Sequence, residues 1–374
     1  MEKQEKTLNI QFCILSAMGI IFIVDGHLNN SYFDIGGLLP YYSFHIPLFA
    51  FISGYFYRPG SERDLRNYGK HKFKRLMVPY FLWNLFYGVL AWILRGMGFG
   101  FGEPVTLWNL LGEPFLHGYQ FILNHAAWFV PTLFLTEMAY GAARRVVRNT
   151  PALMSLCFFM GLAGIFVSRH WGTEGLLLTA VKVMFLLPVY GAGSLYRTRL
   201  EQKDTLGSPW YFSVILFLAL GLAVSGRRLI YAVSGCHDFT GYLLPYITAA
   251  LGIAFWLRAA RILTPALAGS RAVLFLGKNT FGVMMHHMTV FLLIKSCYAW
   301  LARGGILFGS FDFAAWKTDF YYCFLPRGMG QFKVFYLLAG ILVSLALETG
   351  VRTCWEKLWR IESEKTRKNR EKIS

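Results

Sequence analysis

The sequence predicts an all-α membrane protein with about ten transmembrane helices and both termini cytoplasmic. Three observations predict it. Of 374 residues, 55% are hydrophobic, 17% aromatic and only 15% charged, with a mean hydropathy of +0.43; few soluble folds hide so much apolar surface. Apolar runs of the length that crosses a bilayer, about 20 residues at 1.5 Å each, recur along the chain. Lys and Arg fall unevenly between them, 27 in the alternate segments that include both termini against 9 in the others, which puts the termini on the cytoplasmic side.

The ten runs lie at roughly 8–27, 38–57, 76–96, 128–147, 152–168, 175–196, 210–226, 242–258, 273–299 and 333–352. Residues 1–360 read as one transmembrane domain, and 361–374 as a charged cytoplasmic tail that frays into solvent. The net charge of +17 sits in short loops and the tail, with no soluble domain to present it, so nucleic-acid binding is excluded and a lipid bilayer is the partner. MEKQEKTLNI lacks the n-region and cleavage site of a signal peptide, so the first run stays as a span. Six cysteines show no metal spacing and no metal is expected; Cys236, Cys297 and Cys323 fall near the outer face, where one disulfide is open. The longer outer segments, 97–127 and 300–332, read as interfacial caps.

The first run ends in Val24-Asp25-Gly26-His27, a carboxylate and a histidine at its outer end. Asp25 and His27 do not share a helical face, so a direct dyad needs the helix to stop there, which Gly26 permits. His27 reads as a general base for a hydroxyl, or equally as a helix-end cap. His45 lies inside the second run, LLPYYSFHIPLFAFISGYFY at 38–57, where an ionisable group faces a polar interior or a pathway. A satisfied structural histidine is the alternative. Pro47 loosens the local backbone, and Ser53-Gly54 suits close helix contact.

The densest basic cluster precedes the third run and includes Arg58, Arg63, Arg66, Lys70, Lys72, Lys74 and Arg75. It is a positive-inside anchor, and Lys72 and Arg75 also suit the phosphates of a cytosolic donor. No Walker or Rossmann glycine pattern accompanies it. The fourth run opens on Trp128, which reads as an aromatic-belt residue. Its Glu137 and the sixth run's Lys182 are both intramembrane; an ion pair between them is open, and both equally suit structural roles. In the ninth run His286 and His287 are adjacent, so at most one faces a given site. The histidines at 71, 117, 125, 170 and 237 receive no role.

The His27 end, FHIPLFAFISGYF at 44–56, KFKRLMVPYFLW at 72–83, WFVPTLF at 128–134 and LGKNTFGVMMHH at 276–287 together resemble the acyltransferase-3 family of integral membrane acyltransferases. Within it the second-run phrase is similar to the fucose O-acetylase branch. The resemblance covers nearly the whole chain. It implies a bacterial cytoplasmic-membrane O-acyltransferase that takes an acyl group from acyl-CoA, acetyl-CoA first, to a hydroxyl of a surface glycan or lipid-linked saccharide. It implies that His27, His45 and His287 form the catalytic centre with Asp25 beside it, and that Lys72 and Arg75 hold the CoA. Ser16 stands where many members have arginine, and Met284 where tyrosine is usual. The competing class is a transporter or flippase for a glycan or lipid precursor.

Overall fold

The structure, a computed structural model, describes residues 8–30, 32–304 and 310–371. Each of the ten predicted runs coincides with a helix. In chain order these are α1 (Ile10–Gly26), α2 (His45–Tyr55), α3 (Leu65–Lys72), α4 (Val78–Gly96), α5 (Leu107–Leu111), α6 (Phe129–Val146) and α7 (Thr150–Trp171). Then come α8 (Gly175–Leu195), α9 (Ser208–Val224), α10 (Leu244–Leu267), α11 (Arg271–Lys278), α12 (Thr280–Arg303), α13 (Phe313–Thr318) and α14 (Phe332–Glu371). Among the described residues five helical stretches are long and apolar enough to cross a membrane: Ser61–Gly96, Thr150–Trp171, Gly175–Lys203, Leu244–Leu267 and Phe332–Cys354. The chain is an all-α polytopic membrane protein.

Two runs are not the unbroken helices expected. The second starts late, because Pro47 has no N–H and its ring would collide with the carbonyl of residue 43 in a continuous helix. The helix therefore begins at His45, after a short 3-10 turn over Tyr41–Ser43. The freed Ser43 carbonyl accepts from the Tyr231 hydroxyl instead. The ninth run breaks at Asn279, whose side-chain amide donates to the Phe275 carbonyl at 2.7 Å. α14 continues as helix to Glu371.

Glycine decides two of the tightest contacts. A Cβ on Gly54 of α2 would strike the Tyr190 carbonyl of α8, and one on Gly193 of α8 would strike the Phe51 carbonyl of α2. These small residues let the two backbones touch, as small residues do between membrane helices. Gly277 does the same for α11 against the Cys13 carbonyl of α1.

The two predicted caps pack against each other. Gly100 N–H donates to the Lys317 carbonyl at 2.8 Å, and Phe101 meets Phe320 with ring centroids 5.5 Å apart. Two buried lysines tie the caps to the helices. Lys182 of α8 donates to the His117 carbonyl at 3.3 Å, and Lys295 of α12 to the Phe320 carbonyl at 2.7 Å. All six cysteines are free.

Candidate active site

α1 ends at Gly26 and His27 caps it. The Tyr42 hydroxyl donates to the Gly26 carbonyl at 2.7 Å, which pins this helix end to the 3-10 turn before α2. The two histidines at the ends of neighbouring helices are thereby brought to one place. They line a cavity of ≈ 90 Å³ together with His125, which sits one turn ahead of α6.

The rings are close. His27 and His287 have centroids 5.1 Å apart, and His27 and His125 5.7 Å apart. His45 Nδ1 lies 2.6 Å from the Tyr41 carbonyl and His287 Nδ1 2.8 Å from the Val283 carbonyl. A carbonyl only accepts, so both rings carry hydrogen on Nδ1 and, when neutral, keep a lone pair on Nε2. His287 Nε2 is buried without a partner. His125 bonds through Nε2 to the Tyr321 hydroxyl at 3.1 Å. Burial, with the Lys182 ammonium nearby, holds His125 down to about 4, so it is a neutral imidazole at neutral pH. The His27 ring makes no hydrogen bond among the described residues, which leaves its nitrogens to whatever occupies the cavity.

Only one of the adjacent pair in α12 joins this group. His286 points elsewhere, bonded to the Tyr87 hydroxyl at 2.6 Å and to Glu348 at 3.3 Å. Asp25 makes no dyad with His27. It is fully buried and accepts from the Asn30 side chain at 3.0 Å, so its described contact stabilises the loop after α1. α12 continues for roughly 24 Å of helix beyond His287.

A Glu137–Lys182 pair is not formed. Glu137 Oε1 receives the Lys72 ammonium at 2.8 Å and the Ser53 hydroxyl at 2.5 Å. Lys182 lies instead with its ammonium 4.7 Å over the Trp128 ring. Helix packing explains both. The close α2–α8 contact sets Ser53 against α6, while Lys182 sits too near the caps to reach Glu137. Trp128 is therefore no belt residue; it is buried and lines the cavity. Lys72 is engaged on the basic side, at the carboxylate that Ser53 also reaches, and Ser53 lies roughly 12 Å along α2 from His45; Arg75 is exposed on the π-turn Phe73–Met77 that joins α3 to α4.

Sequence reasoning missed His125, Tyr42, Trp128 and the Tyr231–Ser234 segment, all of which line the cavity. His125 had a usable signal: it lies three residues before WFVPTLF, just ahead of the start of α6. The Tyr231–Ser234 segment had none, because the loop between α9 and α10 reaches the site only through tertiary packing.

Beside the imidazoles, the cavity lining includes the apolar side chains of Ile23, Ile46, Phe129, Val233 and Met284. Such a site offers unprotonated nitrogen next to apolar surface. No group of three His, Cys, Asp or Glu among the described residues has metal-binding geometry. A family model described as an acyltransferase domain (Acyl_transf_3) matches residues 14–346. No curated protein and no solved structure matches the chain.

Proposed function

Because this chain belongs to the Acyl_transf_3 acyltransferase family and is built as a multi-pass membrane protein, we propose that it moves an acyl group from cytosolic acyl-CoA to a sugar hydroxyl across the membrane. The acceptor class is a surface glycan or its lipid-linked precursor, the donor acetyl-CoA, and the location the bacterial cytoplasmic membrane. Family membership supports the acyltransferase over the transporter.

The observation that carries the reading is the unbonded His27 imidazole facing a cavity that His45 and His125 also line. His27 takes the proton of the acceptor hydroxyl as its oxygen attacks the thioester carbonyl. The new C–O bond forms, the C–S bond breaks, and the proton passes from His27 to the leaving thiolate. The reaction thus neither consumes nor releases a proton at the protein. The Nε2 lone pairs of His287 and His45, set by their Nδ1 bonds to backbone carbonyls, would stabilise positive charge that develops on His27. Direct attack is the simplest form; an acyl-histidine intermediate would use the same groups.

The donor enters from the basic end. Arg75, exposed on its π-turn, and the neighbouring cations meet the CoA phosphates. Lys72 holds that turn to α6 through Glu137 and is a second, partly buried cation on the path. Binding of radiolabelled acetyl-CoA to purified protein in nanodiscs, weakened when Lys72 and Arg75 are neutralised, is the expected result. Absence of binding by folded protein would overturn the donor assignment.

A further inference from the structure

The histidine cavity has an apolar wall that the acid–base chemistry does not use. Of the two molecules that meet at His27, the acceptor is a polar sugar and the thioester arm of the donor ends in the acyl chain. Only that chain needs an apolar surface. Ile23, Ile46, Phe129 and Met284 supply one from four different helices, and Val233 closes it from the loop before α10.

Size limits what fits. An apolar protein cavity of about 150 Å³ holds benzene, whereas this one measures ≈ 90 Å³. That volume suits a short acyl group better than a six-carbon chain. Met284 is the adjustable part of the wall. It stands one turn before His287 on the same face of α12, is 8% exposed, and carries an unbranched thioether that fills irregular gaps. Ile23, Ile46, Phe129 and Val233, the other large apolar groups named here, are branched or aromatic.

We propose that this wall is the acyl pocket, and that Met284 sets the length of acyl chain accepted, restricting the enzyme to two- and three-carbon groups. The inference rests on the acyl-CoA reading above. It deepens that reading by assigning the chain a place and a limiting residue.

The test uses full-length protein in nanodiscs with acetyl-, butyryl- and hexanoyl-CoA, with water as acceptor, following release of free CoA thiol. Each turnover then yields one carboxylate and one thiol. Wild type should favour acetyl-CoA. Because each methylene in an apolar pocket changes kcat/KM by about tenfold or more, Met284→Ala should raise the butyryl-to-acetyl ratio by about that factor. Ile46→Ala, on the facing helix, should move the ratio in the same direction and guards against a Met284 variant that does not fold. Equal use of hexanoyl- and acetyl-CoA by wild type, or an unchanged ratio in both folded variants, would overturn the proposal. If folded wild type binds no acyl-CoA at all, the donor reading beneath it fails as well. If acyl-CoAs bind but none is cleaved, the chain-length comparison is made on affinity, with the same ratios expected and the same result overturning it.

Discussion

The imidazoles of His27 and His287 lie with ring centroids 5.1 Å apart, one at the end of α1 and the other near the middle of α12. The second is fully buried, bonded through Nδ1 to its own helix, and unpartnered at Nε2. A buried imidazole beside the proposed base, with no other partner, is placed to orient it.

Replacing His287 with Leu keeps the volume near constant and removes that lone pair. The expected result is a fall in kcat of roughly 100-fold with the KM for acetyl-CoA little changed, because His287 meets neither the donor phosphates nor solvent. Steady-state kinetics with acetyl-CoA read out the split.

Glu137 is 2% exposed and has Lys72 as its cationic partner. Removing one member of a buried pair strands the other, so Lys72→Met is expected to destabilise the fold by about 3 kcal/mol. Lys72→Met with Glu137→Leu should recover most of that loss. Thermal unfolding of the single and double variants in detergent measures the coupling. A weaker donor affinity in the double variant would separate the role of Lys72 as a phosphate cation from its role in packing.

Replacing Gly54 with Val forces a side chain onto the Tyr190 carbonyl and separates α2 from α8. The expected cost is about 3 kcal/mol, seen as a lowered unfolding temperature or loss of folded protein. Ser53 would leave Glu137 at the same time.

His125 is held down to about 4 by burial first and by the Lys182 ammonium second. Its charged form is therefore populated only below about pH 4, and it contributes no titration near neutrality. His125→Asn should lower the rate through the lost contact with His27 and Tyr321. It should leave the shape of the pH–rate profile unchanged in the mildly acidic to mildly alkaline range, since another group sets any acid limb there. Profiles of wild type and variant, normalised to their maxima, test this directly.

The helices were legible because lipid imposes a uniform demand: every run of about 20 apolar residues must become a helix. Departures were legible only where a residue forbids the regular form. Pro47 does so, yet its consequence for His45, a helix start in place of a mid-helix position, follows from the carbonyl it would strike and not from hydropathy. The nearness of His27, His45 and His287 was anticipated through the resemblance, since nothing in their spacing brings positions 27 and 287 together. The partner of Glu137 was not legible, because opposite intramembrane charges leave a pair open while helix adjacency decides it. Lys72, counted among surface cations, reaches inward because its long aliphatic stem carries the ammonium to Ser53 and Glu137. His125 was passed over as a loop residue, although the loop in question forms the wall of the site.

The most direct test of the central claim is transfer of radiolabelled acetyl from acetyl-CoA to envelope polysaccharide and lipid-linked sugar fractions, by membranes holding equal amounts of folded wild type or His27→Ala. The account predicts labelled ester with wild type and a loss of roughly 100-fold or more in the variant, with acetyl-CoA binding retained by both. Undiminished transfer by His27→Ala would contradict it.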